Sequence, residues 1–75
     1  MFVAIVLVCV RPSCKTRMIV RSGTAIQSIE IEQFFFSEEE CMNRGALVGR
    51  AMFLHEIKPD DEVKVICEHR RSDNN

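Results

Sequence analysis

The sequence lacks an excess of charge of either sign, and this limits the partners that it can hold by charge alone. Ten lysine and arginine residues face eleven aspartate and glutamate residues, which leaves a formal net charge of −1. Proteins that bind nucleic acid by neutralising phosphates carry a broadly cationic surface. We therefore expect any basic binding surface on this chain to be local.

A long hydrophobic run is also missing. The longest apolar run covers residues 2–10, whereas a spanning helix needs about 20 residues and a secretory signal needs a basic stretch before its apolar one. The sequence therefore predicts no membrane partner, and it leads us to expect a cytoplasmic protein.

No constellation of catalytic residues is visible. The chain has two histidines, His55 and His69, and spacing places no nucleophile or acid beside either of them. The four cysteines include no C-x-x-C motif, the spacing that many redox-active cysteines share. We expect a protein that is not an enzyme and that has no cofactor.

What is present is the composition of one small folded domain. Hydrophobic residues make up 47% and charged residues 28% of 75 residues, which is typical of globular chains. Chains below roughly 80 residues often add a disulfide, a metal or a second subunit to a small core. We expect a single α+β domain over residues 1–69 and a disordered polar tail over residues 70–75.

Three segments have strand patterns. Residues 2–10 are apolar at odd and even positions, the pattern of a strand covered on both faces. Residues 25–35 and 62–68 alternate between polar and apolar, which predicts half-exposed strands. Residues 15–21 either extend a hairpin partner of the first strand or form a separate strand.

One helix is predicted between the second and third of these strands. Ser37 and Glu40 have the spacing of a capping box, in which each side chain bonds the amide of the other residue, and Phe36 and Cys41 occupy the hydrophobic-staple positions. Pro59 disfavours helical geometry at Lys58, which predicts a helix over residues 38–57. Its apolar stripe is expected to lie on the sheet and comprises Cys41, Gly45, Val48 and Met52, widened by Met42, Gly49 and Phe53.

The glycine spacing in this helix has two interpretations. A glycine inside a helix costs about 1 kcal/mol relative to alanine, so Gly45 and Gly49 need a packing reason. One is close approach of the helix to the sheet, and the other is docking against a second helix in a dimer.

The order of elements is β-β-α-β, and the connection rules place the doubly apolar strand in the centre. We expect a three-stranded antiparallel or mixed sheet of order 2-1-3 with the helix packed on one face. The other face would be an uncovered apolar surface, which usually marks an interaction site. We expect it to bind a second copy or another protein through Phe2, Ala4, Val6, Val8, Val10 and Ile66, with the odd-numbered Val3, Ile5 and Leu7 as the alternative set.

The four cysteines form two pairs in this topology. Four cysteines allow three connectivities, and the layout favours Cys9 with Cys14 and Cys41 with Cys67. A zinc site or thiol switch is an alternative, because Cys41, Cys67 and His69 could supply three tetrahedral ligands. A simpler interpretation is that Cys41 and Cys67 are small buried hydrophobic side chains.

Four basic residues surround the first turn, and they suggest a second function. In a dimer they could bind the phosphates of a nucleic acid, although no aromatic residues interleave with them for base stacking. Nucleic-acid binding by a regulatory dimer is therefore the alternative to protein binding. These residues are Arg11, Lys15, Arg17 and Arg21.

The chain resembles small four-cysteine proteins of unknown function that are encoded by prophages of enteric bacteria. The likeness comprises an apolar first strand ending in Val8-Cys9-Val10, a turn with Cys14, a helix start over residues 36–41 and the late Cys67. The resemblance implies a phage accessory role and no chemistry. Binding of a host protein would be consistent with that role.

Overall fold

The computed structural model describes residues 1–71 and confirms an α+β architecture with one helix and antiparallel sheets. It has six strands, so the expectation of three was wrong. The elements are β1 (Phe2–Val10), β2 (Lys15–Thr16), β3 (Ile19–Arg21), β4 (Thr24–Ile26), β5 (Ile29–Phe35), α1 (Glu38–Met52) and β6 (Asp61–His69).

Strand β1 is the centre of the main sheet, as its apolar pattern on both faces predicts. Strand β6 pairs antiparallel with β1 along its whole length. On the other edge, β5 pairs with residues 2–6 and β2 pairs with Cys9 and Val10. The sheet order therefore differs in detail from 2-1-3, because two strands share one edge of β1.

The sequence patterns did not predict the β3–β4 hairpin. Ser22 and Gly23 both have positive φ, at 52° and 78°, which suits a two-residue hairpin turn. The hairpin packs on the core through Ile19, which is buried, and Ile26. The strand predicted over residues 25–35 is consequently split between β4 and β5.

Helix α1 begins at its predicted cap and ends earlier than predicted. The Ser37 Oγ accepts a hydrogen bond from the Glu40 amide at 3.1 Å, but Glu40 accepts from the amide of Phe36 rather than of Ser37. Phe36 is almost fully exposed, so it forms no staple with Cys41. The helix ends at Met52 because Phe53, the C-cap, leaves helical geometry with its side chain buried in the core.

The helix lies on the sheet through its two interior glycines. A Cβ on Gly45 would lie 2.8 Å from Cγ1 of Val65, and one on Gly49 would lie 2.8 Å from Cγ1 of Val6. These distances confirm close approach to the sheet as the reason for the glycines. The core beneath comprises Ala4, Val6, Val8, Ile19, Ile31, Phe35, Cys41 and Phe53.

Arg70, just after β6, remains attached to the sheet. The amide of Arg70 donates to the carbonyl of Met1 at 2.8 Å. The rest of the predicted tail, residues 72–75, lies outside the described residues. Within the described part of the chain, no helix is long and apolar enough to cross a membrane.

Candidate protein-binding surface

The even-numbered residues of β1 face α1, so the members of the predicted binding surface that belong to β1 lie on the covered face, whereas Ile66 lies on the opposite face beside Ile5. Ala4, Val6 and Val8 are fully buried beneath the helix. Phe2 and Val10, at the two ends of the strand, are half-buried. The apolar pattern of β1 is the same on both faces, and the contacts of the helix glycines decided which face was covered.

The opposite face carries the alternative set and forms a partly exposed apolar surface. Ile5 lies beside Ile66 of β6 in the antiparallel register, and Val3 lies beside Phe34 of β5. Phe34 is 59% exposed and Ile66 is 44% exposed, while Ile5 and Leu7 are half-buried. We call Ile5, Leu7, Phe34 and Ile66 the outer patch.

Arg70 borders this patch and joins its two flanking strands. The guanidinium donates to both carboxylate oxygens of Glu30, at 2.8 and 3.1 Å, and to Glu68 at 2.8 Å. These bonds, first with Glu30 and then with Glu68, raise the pKa of Arg70. Glu30 and Glu68 lie on opposite sides of β1, so the guanidinium lies above that strand. Val3 is almost completely buried there and is not part of the patch.

Three of the four basic residues near the first turn are next to acidic groups. Arg11 lies 3.8 Å from Glu62, Arg21 lies 3.8 Å from Glu56, and Arg17 pairs with Asp61. Among residues 1–71, Lys15 has no ion pair. Because most of this positive charge is matched within the chain, the geometry does not favour phosphate binding there.

The Arg17–Asp61 pair is buried on its acidic side. The Arg17 guanidinium donates to both Asp61 carboxylate oxygens and to the carbonyl of Glu56. The Lys58 amide donates to Asp61 at 2.9 Å. These hydrogen bonds, with that from Arg17 the largest cause, lower the pKa of Asp61 below its usual value. Spacing could not reveal this pair, because 44 residues separate its members.

All four cysteines are bonded in the pairs that the layout favours. Cys9 is joined to Cys14 and Cys41 to Cys67. The predicted zinc ligands are therefore wrong for this state, because the sulfurs of Cys41 and Cys67 are bonded to each other and are not thiolates. His69 instead packs its ring against Phe2, with the centroids 5.0 Å apart.

Two further features lie near the start of β6. The Glu62 carboxylate is 3.8 Å from the Cys9 sulfur, but that sulfur is in a disulfide and offers no thiolate ligand. A cavity of about 370 Å³ lies between the end of α1 and this strand. It is lined by Arg11, Arg50, Leu54, Ile57, Asp61, Glu62 and Val63.

Comparisons with protein-family models, with curated proteins and with solved structures found no match for this chain.

Proposed function

We propose that the chain is a non-enzymatic binding module that holds a protein partner on the outer patch. The observation that carries this proposal is the one-sided placement of α1. The helix covers the even-numbered face of β1, while the odd-numbered face presents Phe34 and Ile66 to solvent. Contiguous exposed apolar side chains with a polar rim are typical of interaction sites.

The charged residues that border the outer patch also support partner binding. Glu30, Glu68 and Arg70 form a hydrogen-bonded network beside it. A network held by bidentate bonds keeps its side chains in place before a partner arrives. The partner therefore meets a charged rim whose side chains are already bonded to one another.

The resemblance to prophage-encoded proteins supports a host protein as the partner, since an accessory protein without catalytic groups acts by binding. The bonded cysteines do not favour the cytoplasmic location that the sequence leads one to expect. Both cysteine pairs are bonded, and disulfides persist mainly in oxidising compartments.

The proposal is tested with two matched apolar-to-polar substitutions. Phe34 lies in the outer patch and Leu47 lies on α1, and both are exposed, at 59% and 67%. Wild type, Phe34→Ser and Leu47→Ser are immobilised under non-reducing conditions and exposed to host extract, and the retained proteins are quantified by mass spectrometry.

We expect wild type and Leu47→Ser to retain the same protein and Phe34→Ser to lose it. Circular dichroism should show that all three are folded, because neither side chain is in the core. If Phe34→Ser retains that protein as well as wild type does, the outer patch is not the binding surface.

A further inference from the structure

Strand β6 has a free edge that can accept another strand. It is nine residues long, contains no proline and pairs with β1 along one edge. No strand within residues 1–71 pairs with the other edge. Such an edge presents unpaired N–H and C=O groups that can template pairing with another chain. We propose that a second copy of this chain pairs there, β6 antiparallel to β6, about a two-fold axis at Ile66.

The charges on β6 select this register. In a two-fold antiparallel pair, residues equally distant from the axis lie opposite each other on one face of the sheet. An axis at Ile66 places Lys64 opposite Glu68 of the second copy, twice, and Ile66 against itself.

The neighbouring registers bring like charges together. An axis at Val65 places Glu62 opposite Glu68, and an axis at Cys67 places Lys64 opposite Arg70. Opposite charges across a strand pair stabilise it, whereas like charges destabilise it. The Ile66 register therefore gives charge complementarity and brings two half-exposed isoleucines together.

The position of α1 is compatible with the same pairing. Gly45 approaches both Ala4 and Val65, and Gly49 approaches both Val6 and Val63, so the helix lies above the boundary between β1 and β6. With strands about 4.8 Å apart, the two helices of the pair would lie about 10 Å from each other. Helices in contact are separated by about 8–10 Å, so the pairing neither forces the helices together nor leaves a gap.

The flank of α1 that faces the partner has complementary ends. Arg50 of α1 lines the cavity together with Glu62 and Val63 of β6, which puts this flank on the β6 side of the helix. Glu39 precedes Arg50 by eleven residues, close to three helical turns, and so lies on the same side. In an antiparallel helix pair, the acidic end of one flank faces the basic end of the other.

This inference does not depend on the proposed function. The edge of β6 and the outer patch are different surfaces that meet at Ile66, and Phe34 lies on β5, across β1 from the free edge. Pairing would join the two outer patches into one continuous surface. Phe34→Ser should therefore leave dimerisation unchanged even if it abolishes binding of a protein partner.

A charge swap tests the register. Sedimentation equilibrium is measured for wild type, Lys64→Glu, Glu68→Lys and the double variant, with Glu32→Lys on β5 as the control for the charge change. We expect wild type to approach twice the chain mass of 8.6 kDa. Each single variant should raise the dissociation constant at least about tenfold, and the double variant should restore dimerisation.

Glu32→Lys should dimerise as wild type does, and circular dichroism should show the same fold for every variant. A wild-type protein that is still monomeric at about 1 mM, the millimolar limit of weak association, would overturn the proposal. So would a dimer that is unaffected by Lys64→Glu, or a double variant no better than the single ones, because each result excludes pairing of Lys64 with Glu68.

Discussion

Asp61 brings a negative charge into the interior at the start of β6, where three donors surround its carboxylate. Arg17 reaches it from the segment after β2, and the amide of Lys58 reaches it from the preceding turn. A buried carboxylate is tolerated when it is paired and hydrogen-bonded in this way. Removing one member of such a pair is costly because the other is left without compensation.

The lowered pKa of Asp61 makes stability depend on pH. A carboxyl group whose pKa is lower in the folded state stabilises the fold fully above its unfolded pKa of about 3.9, and this contribution is lost as pH falls through the folded value. We expect Asp61→Asn to lower the free energy of unfolding by about 3 kcal/mol at pH 7.

The difference should shrink as pH falls below about 4, because the carboxyl group of the unfolded chain is protonated there while the folded carboxylate stays ionised until pH reaches its lowered pKa. Urea unfolding of both proteins between pH 7 and pH 2.5 measures it. Glu32→Gln, an exposed carboxylate on β5, provides the control and should change stability little at any pH. A difference for Asp61→Asn that is constant with pH would contradict the ionic account.

Helix α1 packs closely on the sheet because two of its positions carry no side chain. Gly45 and Gly49 allow the backbone of α1 to contact the valines of β1 and β6. Because valine has one strongly preferred rotamer in many backbone settings, its methyl groups cannot move aside cheaply. Helix propensity, which favours alanine over glycine, is overruled by this packing.

Gly45→Ala should therefore destabilise the protein although it improves helix propensity. The new methyl group would lie 2.8 Å from Val65, and overpacking costs about 1–3 kcal/mol against a propensity gain of about 1 kcal/mol. Thermal unfolding should show a lower midpoint.

Asn43→Ala, at an exposed helical position, is the matched control and should raise the midpoint slightly. The same Gly45→Ala change should cost less in a Val65→Ala background, where the contacting methyl groups are gone. Equal costs in the two backgrounds would show that the helix does not approach the sheet at this point.

For the whole molecule, two disulfides supplement a core that is small for the chain length. One closes a short loop after β1, and the other joins the start of α1 to the end of β6. A chain of about 75 residues buries a smaller fraction of its surface than a larger domain does. Cross-links therefore contribute a large share of its stability.

Loop length predicts different contributions from the two disulfides. Cys41 and Cys67 are separated by 26 residues and Cys9 and Cys14 by five, which corresponds to about 3.5 and 2 kcal/mol in the chain-entropy account. We expect Cys41→Ala/Cys67→Ala to unfold at lower urea concentration than Cys9→Ala/Cys14→Ala. The reverse order would show that native packing, rather than loop closure, determines the contribution of each disulfide.

Local residue patterns predict the features that arise from short-range interactions. The alternation in residues 62–68 specifies a half-exposed strand, the apolar run in β1 specifies a central one, and Ser37 starts the helix because its oxygen satisfies a free amide. The cysteine pairs also followed, because strand direction already placed them at opposite ends of the sheet.

Long-range contacts determine which face of β1 is buried, where α1 ends and which charges are paired. Both faces of β1 are equally apolar, so the apolar pattern does not specify the buried face. The packing of Gly45 and Gly49 against the sheet determines it. Phe53 ends the helix early because its ring is buried in the core, and Arg17 meets Asp61 across 44 residues. These features depend on long-range contacts, which local residue patterns do not encode, and they place the outer patch on the odd-numbered face.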